Sequence, residues 1–234
     1  RGFLWENGAM IDVGTLGGTF SAARDLNNAG QVVGEAGTGG LDQRGQPVSH
    51  AFRWQNGVMT DLGTLGSAYD NSRAFGISST GQVVGQSFTA FDASNWLQAA
   101  FVWENGVMYD LNSLLPAGSG WALHYANAIN DSGQLVGNGV INGVQHGFLF
   151  TDPDGVFANG VGTIIDLGDL PGGLNASAAS AVNGSGQVAG ASWTSNDLHA
   201  FRYSSGQMLD LGTLGGSRSE AGDINDAGQI VGYS

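Results

Sequence analysis

Residues 55–66 read QNGVMTDLGTLG, and residues 6–17 and 205–216 are close copies, ENGAMIDVGTLG and SGQMLDLGTLGG. Each copy holds an Asp four residues after its turn Gly: Asp61, Asp12 and Asp210. Asn-Gly is the strongest short hairpin signal, because a type I′ turn needs positive φ at both central residues. A turn at Asn56-Gly57 sets Gln55 opposite Val58, Trp54 opposite Met59 and Phe52 opposite Asp61. The stretch therefore reads as an outer β-hairpin, with the Asp at its exit.

Working outward, the hairpin belongs to a larger repeat. A Gly-Gln pair recurs with Gln at 31, 82, 134, 187 and 229, in NNAGQVVG, SSTGQVVG, NDSGQLVG, NGSGQVAG and NDAGQIVG. An aromatic run recurs as GFLWENG, AFRWQNG, AFVWENG, GFLF and AFRYSSG. The period is 42 to 53 residues. It divides the chain into units at 1–49, 50–98, 99–145, 146–198 and 199–234. Each unit reads as four short strands, and no segment shows sustained helical periodicity. Four strands at this period predict an all-β chain, a single five-bladed β-propeller of antiparallel sheets. The chain begins at strand three and stops after strand two. The expectation is that EAGDINDAGQIVGYS at the C-terminus pairs with RGFLWENGAMIDVG at the N-terminus, closing the ring and removing open edges.

The pattern HAF-W--G-M-DLGTLGG---A--IN--GQVVG resembles the bacterial HAF repeat, over all five units. That resemblance implies a secreted or surface protein, often with a C-terminal sorting tail. The third unit departs with NSLLPAGSGW and the fourth with TDPDGVFANGVG. Repeat count and length are also similar to the tachylectin architecture.

Composition narrows the partners. The chain has 234 residues, no Cys, 7 basic and 20 acidic residues and a net charge of −13. That acidity opposes nucleic acid and anionic membranes, which need a basic footprint. No apolar run approaches the roughly 20 residues of a membrane span. The start at Arg1 rather than Met reads as a mature or trimmed product. Zero Cys removes disulfide and thiol chemistry.

An identical residue in every unit points to fold, not to a single site. The recurring Asp (Asp12, Asp61, Asp110, Asp166, Asp210) is expected to accept backbone N–H groups of the following turn. The recurring Gln is expected to satisfy backbone near the hairpin. His50, His146 and His199 share one position, before the aromatic run, and read as hydrogen-bonded structural residues. DPDG at Asp152–Gly155 reads as an Asp-Gly turn; a calcium loop would need more oxygen ligands than Asp152 and Asp154 supply. No nucleophile elbow, zinc-protease, P-loop or CxxC motif is present. No catalytic residue, metal or cofactor is assigned.

Individuality lies in the variable loops. The candidate ligand residues are Trp121, His124, Tyr125, Tyr69, Asp70, Asn71, Trp96 and Trp193. Aromatics with amides and carboxylates suit sugars, which offer apolar faces and hydroxyl edges. The leading expectation is a non-enzymatic extracellular or cell-surface recognition or scaffold domain, binding a glycan or a protein partner on one loop-rich face. The alternatives are a self-assembling subunit of a bacterial surface layer or filament, and a glycosidase-like propeller enzyme.

Overall fold

The computed structural model describes residues 1–66, 70–92, 95–158, 160–173 and 176–234, without the side chains of residues 91, 92, 95 and 96. The chain is all-β, with 57% of residues in strands and 2% in helix. Its contacts divide it into two compact units, Arg1–Leu111 and Asn112–Ser234.

The first unit starts with a two-stranded sheet of β1 (Phe3–Glu6) and β2 (Ala9–Asp12). A four-stranded sheet follows: β3 (Ser21–Leu26), β4 (Val32–Leu41), β5 (Pro47–Gln55) and β6 (Val58–Asp61). The next holds β7 (Ser72–Ile77), β8 (Val83–Asp92), β9 (Asn95–Glu104) and β10 (Val107–Asp110). The second unit repeats the plan with β11 (Trp121–Ile129), β12 (Gln134–Ile141), β13 (Val144–Thr151) and β14 (Thr163–Asp166). Its next sheet is β15 (Ser177–Val182), β16 (Val188–Trp193), β17 (Leu198–Ser204) and β18 (Gln207–Asp210). It ends with the two-stranded sheet of β19 (Glu220–Ile224) and β20 (Ile230–Tyr233). Every pairing within these sheets is antiparallel between chain neighbours, the meander expected of propeller blades.

The opening stretch folds as read. Phe52 faces Asp61, Trp54 faces Met59 and Gln55 faces Val58. Asn56 and Gly57 take φ of 50° and 83°, the two positive values a type I′ turn demands.

Within each unit, successive sheets pack face to face by a repeated rule. The Phe, Trp and Met of an outer hairpin cover the apolar residues that follow the hairpin of the preceding sheet. Phe52, Trp54 and Met59 pack with Val13 and Leu16. Phe101, Trp103 and Met108 pack with Leu62 and Leu65. In the second unit, Phe201, Tyr203 and Met208 pack with Leu167 and Leu170.

Polar ties join the same sheets. In four sheets a Ser at the start of the first strand, Ser21, Ser72, Ser177 or Ser219, reaches back to its predecessor. Ser72 Oγ accepts from Ala51 N at 2.8 Å and donates to Gly63 O at 2.6 Å. Ser177 ties Gly147 N and Gly168 O, and Ser219 ties Ala200 N and Gly212 O. Ser21 accepts from Gly2 N. These serines were legible as a fixed distance before the Gly-Gln landmark, but they were not singled out. The recurring Gln differs from its expected role. In the second sheet it is Asn27 that caps the turn, its Oδ1 accepting from Ala29 N and Gln31 N. Asn27 Nδ2 then reaches Ser78 O of the following sheet, and Gln31 Oε1 holds that amide in place. Asn130 and Asn183 repeat this arrangement.

The Gly that closes each GQVVG-like run sits where two strands nearly touch at a bulge. A Cβ on Gly85 would lie 1.9 Å from Arg73 O, and one on Gly190 2.1 Å from Ala178 O. No side chain fits there.

Candidate functional site

The recurring Asp forms a compact polar unit with its His. His50 Nδ1 lies 2.9 and 2.8 Å from the two Asp61 oxygens, and Asp61 Oδ1 also accepts from Gly63 N at 2.8 Å. His146 with Asp166 and His199 with Asp210 repeat both contacts. Asp12 holds Gly14 N. Burial pushes the His50 pKa down, but the hydrogen bond and charge of Asp61, with Asp70 behind it, carry it above the ordinary value. Burial pushes the Asp61 carboxyl up, and the His50 and Gly63 hydrogen bonds outweigh it and hold the group below its usual range. A unit present in three sheets, each closing its own turn, serves the fold.

The third-repeat candidates lie in a strand, not in a loop. Trp121, His124 and Tyr125 all belong to β11. The segment before them is a short 3-10 helix, Leu111–Leu114, that buries Leu111 and Leu114. Asn112 grips the strand, donating to Leu123 O and accepting from Leu123 N. The Trp121 ring is half-buried and meets Phe148 edge-on at 6.1 Å. His124 is the extra residue of a bulge between Leu123 and Tyr125. It occupies the position held by Ser72 and Ser177 in other sheets, six residues before the turn-capping residue. Burial lowers its pKa. Trp193, on β16, is 38% exposed and lines a 180 Å³ groove with Gln145, Leu198 and Glu220. Tyr69 lies outside the described residues, as does the side chain of Trp96.

Asp70 and Asn71 fall in the first unit. Asp70 accepts from the Thr64 hydroxyl at 2.8 Å and faces His50 Nε2 at 3.5 Å. Asn71 Oδ1 accepts from both the backbone and the hydroxyl of Ser49. Asn71 also lines a 380 Å³ cleft with Asp42, Arg44, Gln46, Arg73 and Phe88.

That cleft has a charged foundation. Glu35 is buried, at 6% exposure, and pairs with Arg24 at 2.8 Å and Arg73 Nε at 3.4 Å. Both guanidiniums are partly exposed and rest on rings, Arg24 5.5 Å from Phe75 and Arg73 5.8 Å from Phe88. Opposite Arg73 in the ladder, Gln86 buries an Oε1 with no hydrogen-bond partner among the described residues. Arg44 is held by both Nε and Nη2 against Asp42. Arg24 and Arg73 thus share buried Glu35, while Arg44 is held by a second buried carboxylate, Asp42. The sequence reading passed over this site because its arginines lie on different strands and match no motif.

Asp152 and Asp154 form the expected turn. Asp152 Oδ1 accepts from Asp154 N and Gly155 N. Burial, and then Asp154 beside it, raise the Asp152 pKa. Among the described residues no group of three or more His, Cys, Asp or Glu could hold a metal ion, and no helix is long and apolar enough to cross a membrane. No family model matches the sequence, and no curated protein is significantly similar to it.

Proposed function

We propose that this chain is a non-enzymatic recognition domain of the HAF-repeat kind, built on propeller blades, that takes an acidic glycan in the Arg73 cleft. The observation that carries the proposal is the Arg73 guanidinium. Its Nε lies 3.4 Å from buried Glu35 as an ion pair without a hydrogen bond, its face lies 5.8 Å from the Phe88 ring, and 44% of the side chain remains exposed at the cleft. A guanidinium so held loses little freedom when it grips a carboxylate or sulfate through two parallel N–H donors. Phe88 adds apolar surface, and Gln46 adds an amide for hydroxyls. The acid pairs elsewhere in the chain support turns and sheet contacts. Asp25 accepts from Ile77 N and Asp226 from Gly184 N, which leaves them engaged in structure rather than poised for bond cleavage.

The test is a glycan array of neutral, uronate-bearing and sulfated sugars, run on the wild type and on Arg73→Lys. Lysine keeps the charge and loses the planar fork. Wild-type binding restricted to acidic sugars, weakened roughly ten- to a hundred-fold by Arg73→Lys, is expected from a charge-assisted hydrogen bond of about 1.5–3 kcal/mol. Binding to neutral sugars alone, or equal binding by both proteins, refutes the assignment.

A further inference from the structure

The cleft that holds Arg73 is built a second time, inside the second unit, without its cation. Phe88 lies three residues after Gly85 and Trp193 three residues after Gly190, so the two aromatics hold one position of the repeat. The same backbone tie fixes each of them. Phe88 N donates to Asn71 O and Trp193 N to Ala176 O, both at 2.9 Å. Arg73 faces Gln86 in the ladder, and the matching pair is Ala178 with Ala191. Asn71 and Arg73 of the first cleft are therefore Ala176 and Ala178 in the second.

These exchanges change what the aromatic meets. In the first unit the chain supplies its own cation, because the Arg73 guanidinium lies 5.8 Å from the Phe88 ring. In the second unit the ring is an indole, 38% exposed, and Ala178 leaves the place of the cation open. What remains is a 180 Å³ groove lined by Gln145, Ala178, Ala191, Trp193, Leu198 and Glu220 among others. Among the described residues, none that lines it is basic. Indole is the best of the aromatic faces for a cation. Glu220 adds a carboxylate to the lining. Arg218 Nη2 donates to Glu220 Oε1, but a carboxylate offers about four acceptor sites, so this pairing does not exhaust it. Asn112–Ser234 carries ten acidic residues against two basic ones, Arg202 and Arg218, a field that draws cations in.

We propose that the Trp193 groove binds an external guanidinium, which takes the place that Arg73 fills in the first unit, stacked on the indole and hydrogen-bonded to Glu220. A guanidinium fits better than an ammonium because it is planar, stacks on aromatic faces and presents a fork of donors to a carboxylate. The ligand is a free alkylguanidinium or an arginine side chain of a partner. The site shares no residue with the Arg73 cleft, and the proposal stands whether or not that cleft takes an acidic glycan.

The test is fluorine NMR of the fluorotryptophan-labelled chain. The variant Trp193→Phe identifies the Trp193 line, and Phe88 shows that the repeat accepts Phe at this position. The probes are N-acetylarginine amide, its uncharged isostere N-acetylcitrulline amide, and a short neutral peptide with one central arginine. The expected result is a saturable shift of the Trp193 line with the arginine amide and none with the citrulline amide. Glu220→Gln should weaken the arginine affinity roughly tenfold, through loss of a charge-assisted hydrogen bond. Ala178→Arg restores the internal cation and should abolish the shift while keeping a cooperative melt, because Arg73 occupies the same ladder position. A peptide that binds at least as tightly as the amide supports the site with a partner chain as the source. A peptide that fails where the amide binds supports it with a free solute as the source. Equal shifts with arginine and citrulline, no shift with either arginine probe, or an undiminished shift in folded Ala178→Arg overturns the proposal.

Discussion

Replacing Ser72 by Ala removes one oxygen that holds two sheets together. Ser72 is fully buried; its Oγ takes the Ala51 N–H at 2.8 Å and gives its proton to Gly63 O at 2.6 Å. Ala51 is itself fully buried, so its amide has no water to turn to. Leaving such a donor unpaired costs about 1–3 kcal/mol. The Gly63 carbonyl is only partly buried and recovers some hydration, so its loss is nearer the net value of an ordinary hydrogen bond, about 0.5–1.5 kcal/mol. The sum is about 1.5–4.5 kcal/mol, a large share of the roughly 5–15 kcal/mol that stabilises a domain. Urea unfolding followed by tryptophan fluorescence measures it as a lower midpoint at unchanged slope. Ser185→Ala is the control, since that side chain is exposed and sits in a turn; it should change stability by less than about 0.5 kcal/mol. A Ser72→Ala protein within 0.5 kcal/mol of wild type would show that the tie is not what fixes neighbouring sheets.

Two further outcomes follow from the same frame. The His50 pKa is raised in the fold, so its contribution is fully present below the unfolded value of about 6.5 and is lost as pH rises through the folded value. Asp61 is depressed, so its contribution is present above about pH 4 and is lost as pH falls through its folded value. The wild type should therefore lose stability relative to His50→Gln as pH rises from about 6.5 through the folded His50 value, and a difference that stays constant over that rise would remove the ion pair from the account. Gly85→Ala should prevent folding of the first unit, because its Cβ would meet the Arg73 carbonyl at 1.9 Å and Phe101 at 2.8 Å. A cooperative circular-dichroism melt near that of wild type would contradict the close strand approach.

Most of the local fold could be read from residues 55–66 and their copies. An Asn-Gly turn fixes hairpin register, and the period of two then assigns each side chain its face, which is why Phe52, Trp54 and Met59 landed correctly. Contacts between sheets were harder. Asn27 reaching Ser78 O spans 51 residues, and nothing local in either stretch announces it. The site was least legible. Bulk drew attention to Trp121, yet its ring rests on Phe148, as a strand residue's would. Arg24, Glu35 and Arg73 are unremarkable one by one, and only the packing of β7 against the preceding sheet brings them together.

The repeat itself explains why the distinctive chemistry sits where it does. Positions that make turns or tie sheets tolerate few residue types, so Asp, Ser, Asn and Gly return there unit after unit. The ladder pair formed by the first two strands of each sheet is freer. It is Ala22 with Glu35 in one sheet, Arg73 with Gln86 in the next, Ala178 with Ala191 further on, and Glu220 with Tyr233 at the end. Because each sheet packs on its neighbour, a charge at this pair meets the residue at the corresponding pair next door. Glu35 therefore finds Arg73 of the next sheet in addition to Arg24 of its own. The small Ala178–Ala191 pair leaves room instead, and the exposed Trp193 lines the groove there. A fixed scaffold with one freely varied pair per sheet can thus present a different polar surface at each step without altering the backbone. In this chain the step from Glu35 to Arg73 is the one that places an anchored, accessible guanidinium in a cleft.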